Sequence, residues 1–495
     1  METKQNLTHE QRLELANKKA AELAAALDND RFRLHYHLMP RTGWMNDPNG
    51  LIQFNGEYHA FYQHYPFEPH NGPMHWGHAK SSDLVHWEHL PIALAPSEPY
   101  DLGSGNNGYG CWSGSAVDDN GKLTLIYTGH VDGNNPVEVQ CLAVSKDGVQ
   151  FEKAANPVIP GPPEEGCFGF RDPKVWKHED KWYMVIGSGK DGHGKVQLYT
   201  SDSLHHWQYS GAAAQSDGTM GDMWECPDLF PLGEANHVLI ISPMNMGSTK
   251  TMYLSGSFNY DSGKLETAYS ERLDYGFDFY APQTLLDDQG RRIMIGWMNI
   301  WGAKMPEQED GWMGAMTIPR ELKLTEKGTI TMEPVAELTA LRGKHHSLER
   351  QVIERDTVLR LHALQSDALE IVAVFEVSDS HEEEFGLLLR CSADDSQYTE
   401  ISYCTSNGQL LMDRNQSGQG DGGISELTIE PMERGRLKLH LFLDRSSVEL
   451  FINGGHKTIT NRIYPNPDSL GIKLFSRQGS TILHSFDAWE LQSIW

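Results

Sequence analysis

Trp182-Tyr183-Met184-Val185-Ile186-Gly187-Ser188-Gly189 is an apolar and aromatic run that ends on small residues, long enough for one strand and short for a helix. Four other runs read the same way: Tyr58–Gln63 (YHAFYQ), Leu123–Gly129 (LTLIYTG), His237–Ser242 (HVLIIS) and Arg292–Met298 (RIMIGWM). In chain order the five begin 65, 59, 55 and 55 residues apart. A second element trails three of them: Asp83-x-x-x-Trp87, Asp147-x-x-x-Phe151, and Asp202 with Trp207. Asp278-Phe279-Tyr280 reads as a degenerate fourth copy. Repeats of this length, each with room for several strands, predict the blades of a β-propeller, and five copies predict five blades. The alternative is an irregular β-sandwich whose strand spacing is accidental.

Before the repeats, Thr8 with Gln11 forms a capping-box pattern, and Leu13, Ala16, Ala20, Leu23 and Leu27 fall on one helical face. Asp28-Asn29-Asp30 ends that helix, so residues 1–31 read as an appended helical extension and 32–332 as the propeller. Pro334 suits a first helical position and Gly343 a stop, which makes 333–345 a linker helix. Beyond it the apolar residues alternate: Leu369, Ile371, Ala373, Phe375 and Val377 share one strand face, and Leu437, Leu439, Leu441 and Leu443 another. Asn453-Gly454-Gly455 reads as a turn after the strand Val448–Ile452. Residues 346–495 are therefore expected to form a β-sandwich. The fold class expected is all-β: a five-bladed β-propeller followed by a C-terminal β-sandwich, with a short N-terminal helix.

Composition narrows the function. The 495 residues carry 41 Lys and Arg against 68 Asp and Glu, a net charge of −27, which argues against nucleic acid or an anionic membrane as partner. No apolar run approaches the ~20 residues of a membrane span, and no signal-type apolar segment follows the polar start Met1 to Thr8. The cysteines Cys111, Cys141, Cys167, Cys226, Cys391 and Cys404 are scattered without a C-x-x-C pair, so disulfides and a thiolate zinc site are not expected. Together these predict a cytoplasmic protein. Abundant Trp and Gly suit an all-β protein that handles sugars.

Three acidic positions stand out. Asp47 lies in Trp44-Met45-Asn46-Asp47-Pro48-Asn49-Gly50, where Pro48 favours an extended backbone at Asp47 and Asn49-Gly50 a turn. Asp172 lies in Phe170-Arg171-Asp172-Pro173, where Arg171 could equally be an ordinary ion-pair partner. Glu225 lies in Trp224-Glu225-Cys226-Pro227-Asp228, among apolar neighbours that raise a carboxyl pKa on burial. Taken singly, Asp47 is also readable as part of a structural turn and Asp172 as one half of an ion pair. Glycosidic hydrolysis needs two carboxyl groups with different tasks, one to attack or activate water and one to protonate the leaving oxygen. The three acids come from repeats one, three and four, and equivalent strand ends of a propeller converge on its axis.

The ordered set Trp44–Gly50, Phe61-Tyr62-Gln63, Trp76-Gly77-His78, Trp112-Ser113-Gly114-Ser115, Arg171-Asp172-Pro173, Glu225-Cys226-Pro227, Asp278-Phe279-Tyr280-Ala281 and Ile318-Pro319-Arg320-Glu321-Leu322 resembles glycoside hydrolase family 32, the invertase and sucrose-6-phosphate hydrolase family. Asp444-Arg445-Ser446-Ser447-Val448-Glu449-Leu450-Phe451 resembles that family's C-terminal sandwich, and the N-terminal helix resembles the extension of intracellular bacterial members. The resemblance implies a fructosyl hydrolase in which Asp47 is the nucleophile and Glu225 the acid and then the base. It implies that Asp172, with Arg171 beside it, holds fructose hydroxyls and stabilises an oxocarbenium-like transition state. Asn46, Gln63 and Ser113 would hydrogen-bond the furanose. Trp44, Trp76 and Trp112 would complete the substrate pocket, and Tyr280 would tune Glu225.

This chemistry calls for no cofactor and no metal. His35, His37, His59, His64, His70, His75 and His78 crowd the first blade, but they read as hydrogen-bonded structural histidines, and Cys226 reads as a small packing residue. Two rivals stay open: a fructosyltransferase or fructo-oligosaccharide hydrolase of the same fold, and a non-catalytic carbohydrate-binding protein. The expected partner is a small sugar, whether sucrose, sucrose 6-phosphate or short fructo-oligosaccharides, with no nucleic acid and no membrane, in a monomer or homodimer. The cytoplasmic reading favours sucrose 6-phosphate. Its phosphate would need a local basic patch, to which Arg41, His64, His70 and Lys304 are possible contributors. The sandwich is expected to cover an apolar flank of the propeller.

Overall fold

Each of the five apolar runs is the second strand of its own antiparallel sheet. These strands are Glu57–Tyr65, Leu123–Val131, Lys181–Lys190, His237–Pro243 and Arg292–Trp297, and they are almost wholly buried. Burial on both faces explains why they read as continuous apolar runs instead of alternating ones. The computed structural model describes residues 7–27, 31–104, 108–164, 167–377, 383–432 and 435–495. Asp28-Asn29-Asp30 lies outside the described residues.

The first strand of each sheet is innermost: Gly43–Phe54, Tyr109–Asp118, Phe168–His178, Trp224–Pro231 and Tyr280–Leu286. Each packs against the next and the last against the first, which closes a ring of five blades. The short strand Trp312–Met313 pairs in parallel with Gly43–Phe54 and ties the end of the propeller to its first blade.

In the first two blades the trailing aspartate caps the turn before the fourth strand. Asp83 Oδ1 accepts from the Val85 and His86 amides, and Asp147 Oδ1 from those of Val149 and Gln150. Asp278-Phe279-Tyr280 is not a fourth copy. It leads into the inner strand of the fifth blade, and Asp278 accepts from Arg414 and the Arg462 amide of the second domain. In the fourth blade that turn is capped instead by Asn259, which accepts from the Asp261 and Ser262 amides.

The helix α1, His9–Ala25, has the capping box between Thr8 and Gln11. Ala16 is buried and Leu13, Ala20, Leu23 and Leu27 are half-buried. The helix covers the outer strand Trp87–Leu94 of the first blade, where Asn17 Oδ1 accepts from the Ile92 amide at 3.0 Å. A donor on a sheet edge is thereby satisfied.

Strand Ile330–Pro334 ends the fifth sheet, the 3-10 helix Ala336–Leu341 follows, and Arg342–Leu348 already belongs to the sandwich. Pro334 thus closes a strand instead of opening the helix, and Gly343 lies within a strand; a proline at a strand end forfeits no interior ladder bond. The sandwich has a seven-stranded and a six-stranded sheet around one apolar core. In the larger sheet Leu369, Ile371, Ala373 and Phe375 pair in register with Leu443, Leu441, Leu439 and Leu437. The predicted turn is present, with Asn453, Gly454 and Gly455 all at positive φ.

The propeller is joined to the sandwich by buried charges. His37 places Nδ1 2.8 Å from Asp444 and Nε2 2.9 Å from Glu449. Glu449 also takes Arg320 at 2.6 Å, and Arg320 reaches Asp274 at 3.0 Å. Burial alone would push His37 down; the two carboxylates outweigh it and hold the imidazole up at about 9. Asp444, which burial would raise, is held far below its usual range by His35 and His37. Because His37 is raised, its contribution is complete below its unfolded value near 6.5 and is lost as pH rises through about 9. Asp444 contributes above its unfolded value near 4 and loses this as pH falls. His37→Gln is expected to cost about 3–5 kcal/mol, the range for stranding a buried partner. Melting temperatures at pH 6 and pH 9 check this: the wild type loses stability over that interval and the variant loses less. Equal losses would remove His37 from the account.

Candidate active site

All five inner strands break register at the same place. The interruptions fall at Asn46–Asp47, Ser113, Asp172–Pro173, Cys226–Pro227 and Ala281–Pro282. Such bulges bend a strand and re-aim its side chains. Proline is tolerated there because the bulged residue has no ladder partner to lose. Asp172, Cys226 and Ala281 have φ of 65°, 48° and 47°, left-handed values that non-glycine residues seldom adopt and that cluster at functional sites. Two tiers of side chains follow around the axis. One consists of the interrupted positions Asp47, Ser113, Asp172, Cys226 and Ala281, and the other of the residues just before them, Asn46, Trp112, Arg171, Glu225 and Tyr280.

Ser113 Oγ donates to Asp47 Oδ2 at 2.8 Å and Asn46 Nδ2 to Asp47 Oδ1 at 3.0 Å. The Cys226 amide donates to Asp172 Oδ2 at 2.9 Å, and its thiol lies 3.5 Å from that oxygen and 3.7 Å from Asp47 Oδ2. Arg171 grips Glu225 Oε1 through Nε at 3.1 Å and a terminal nitrogen at 2.8 Å. Tyr280 donates its hydroxyl to Glu225 Oε2. The apolar setting expected for Glu225 is therefore not what it has: both oxygens are held by polar partners, and the side chain is only partly buried.

Burial pushes the Asp47 carboxyl up, Asn46 and Ser113 pull it back, and the charge of Glu225 adds to the rise. Burial also raises Asp172 to about 7 against the opposing pull of Arg171, with Glu225 and Asp47 adding like charge. The charges of Asp47 and Glu225 act against ionising Asp172, which burial already disfavours, so the site favours keeping a proton there.

A cavity of about 1090 Å³ opens over these groups. Asn46, Asp47, Gln63, Trp112, Ser113, Arg171, Asp172, Glu225 and Tyr280 all line it. Trp44 and Trp76 do not. Trp44 is buried, donates to Asn46 Oδ1 at 2.6 Å and stacks on Trp301, which lines the mouth. Trp76 is fully buried and donates to the Trp112 carbonyl at 3.1 Å. Both stand behind the wall and brace it.

None of Arg41, His64, His70 and Lys304 lines the cavity. His64 is buried against the Trp44 carbonyl, and burial pushes it down to about 4. His70 faces Gln308, and the Lys304 amide donates to Asp421. The other histidines of the first blade are hydrogen-bonded inward: His59 to His78 at 2.9 Å and His75 to the Pro73 carbonyl at 2.8 Å.

Three groups at the site had no such role in the sequence reading. Cys226 bridges two of the acids. Glu138 and His130 line the cavity from the outer strands of the second blade, and His130 stacks on Trp112 at 3.6 Å. The recurring x-Pro pairs at 48, 173, 227 and 282 were the available clue to the bulges. Glu138 and His130 carry no motif.

Several carboxyl groups presented to one open cavity on a propeller axis are the groups that glycoside cleavage requires. The family model for the glycosyl hydrolases family 32 N-terminal domain matches residues 37–334, and that for the family 32 C-terminal domain matches 337–490. The chain belongs to glycosyl hydrolases family 32. It is 42% identical to a sucrose-6-phosphate hydrolase of Escherichia coli over 97% of this chain and 99% of that one. It is 40% identical to a raffinose invertase of Escherichia coli over the same shares of each chain. Among solved structures, a Bombyx mori GH32 beta-fructofuranosidase in complex with sucrose is 36% identical, with TM-score 0.83 over 97% of this chain and 99% of that one. Among the described residues no helix is long and apolar enough to cross a membrane.

Proposed function

We propose that this chain is a retaining β-fructofuranosidase that releases fructose from sucrose or sucrose 6-phosphate. One observation carries the reading: Asp47, Asp172 and Glu225, from three different blades, meet at the floor of one cavity on bulged inner strands. Asp47 attacks the anomeric carbon of the fructosyl unit, and Glu225 gives a proton to the departing glucosyl oxygen. Water then enters, Glu225 takes its proton, and the fructosyl ester on Asp47 is hydrolysed. Ser113 and Asn46 aim the nucleophile and favour its charged form. Asp172, fixed by the Cys226 amide, faces the ring where positive charge develops. Arg171 and Tyr280 hold Glu225 in place between the two steps. The relatives named for sucrose 6-phosphate and raffinose, and the neighbour solved with sucrose, support a fructosyl donor of this kind. A cytoplasmic setting, where thiols stay reduced, suits the six free cysteines.

The test is product analysis. Equal release of glucose and fructose from sucrose supports hydrolysis, and an excess of glucose marks fructosyl transfer. With methanol present, methyl fructoside of retained configuration is expected; an inverted product would overturn the double displacement.

A further inference from the structure

The phosphate of sucrose 6-phosphate rides on the glucosyl half, so it must lie on the leaving-group side of the cavity, against Glu225. That wall is continuous from Glu225 outward. Arg171 grips Glu225 Oε1 and also reaches Glu138 Oε1 at 3.1 Å. Glu138 lies 3.3 Å from His130 Nδ1, and His130 Nε2 lies 3.0 Å from Asp132. Glu138 Oε2 accepts the Phe170 amide, which fixes the carboxylate on the strand beside Arg171.

Among the described residues, Arg171 and His130 are the only arginine, lysine or histidine side chains lining the cavity. Each is already engaged by two carboxylates. Asp47, Glu68, Glu138, Asp172 and Glu225 line the same space. Burial would raise Glu138, but His130 and Arg171 hold it below its usual range, so its charge is present at neutral pH.

We propose that Glu138 is a specificity-determining residue that makes this cavity select an uncharged fructosyl donor over a phosphorylated one. Together with Glu225 it occupies Arg171, the one guanidinium lining the cavity among the described residues, and it sets its own negative charge on the wall the phosphate would face. Like charges that face each other across an open, water-filled cavity repel, and dissolved salt weakens that repulsion. The proposal rests on the fructosidase reading and chooses between the two donors it allows.

The experiment compares kcat/KM for sucrose and sucrose 6-phosphate, at low and high sodium chloride, in the wild type and in Glu138→Gln. The wild type is expected to favour sucrose by about tenfold or more at low salt, with the gap narrowing as salt screens the repulsion. Glu138→Gln is expected to narrow the gap by about tenfold, chiefly through a lower KM for the phosphorylated sugar. A wild type that turns over sucrose 6-phosphate as well as or better than sucrose would overturn the proposal. So would a preference for sucrose that salt leaves untouched, a measurement that needs no variant to fold. If a folded Glu138→Gln leaves the ratio unchanged, the discrimination lies elsewhere and Glu138 is not its source. Release of fructose from neither sugar would overturn the fructosidase reading itself, and this proposal with it.

Discussion

Asp47→Asn is expected to lower kcat for fructose release by on the order of 10⁵-fold, as removal of an attacking group does in covalent catalysis. The amide matches the carboxylate in shape. Its oxygen can accept from Asn46 Nδ2, and its nitrogen can donate to Ser113 Oγ, whose hydroxyl rotates to accept. The fold should therefore persist. Burial disfavours the Asp47 charge, so removing that charge should leave the melting temperature unchanged or slightly higher. Substrate affinity should change little, because Gln63, Trp112 and Asp172, the furanose contacts proposed above, are left in place. Steady-state kinetics beside a melting curve checks this. Turnover within about a hundredfold of wild type, from a folded variant, would remove Asp47 as the nucleophile.

Glu225→Gln separates the two proton transfers. On sucrose, whose glucosyl oxygen is a poor leaving group, kcat should fall by about 10²–10⁴-fold, the usual worth of a placed acid or base. On a fructosyl donor with a good leaving group the first step needs no proton, so formation of the ester should recover. The second step still lacks its base. The expected signature is a burst of leaving group followed by a slow steady rate. Equal losses on both donors, with no burst, would contradict the acid role. Arg171 and Tyr280 both bond to the carboxylate oxygens, so the variant also needs its melting temperature recorded.

The sequence exposed the parts of this molecule that repeat. The five second strands are buried on both faces, so each shows as an unbroken apolar run, and their spacing revealed the blade count. Three acids beside distinctive neighbours marked the site. What stayed hidden has a common cause: it is made by residues that meet only after the blades close. Glu138 reaches Arg171 from another blade, and His37 meets Asp444 from the far end of the chain. Neither pair leaves a local pattern. Trp44 and Trp76 show the converse. Their motifs place them near the site, but side-chain direction at a bulge decides which residue lines a cavity and which stands behind it. Bulge geometry is not readable from alternation, because a bulge is where alternation fails. Asp278 misled for a similar reason: it stands before aromatic residues as the turn aspartates do, while its carboxylate serves the sandwich.

Whether Asp47 carries the fructosyl ester is read by peptide mass spectrometry of Glu225→Gln quenched after exposure to a fructosyl donor with a good leaving group. An added fructosyl unit, labile to base as an ester, is expected on the peptide that carries Asp47. An adduct on Asp172, or a quenched protein that carries none while the leaving group has been released in a burst, would contradict it.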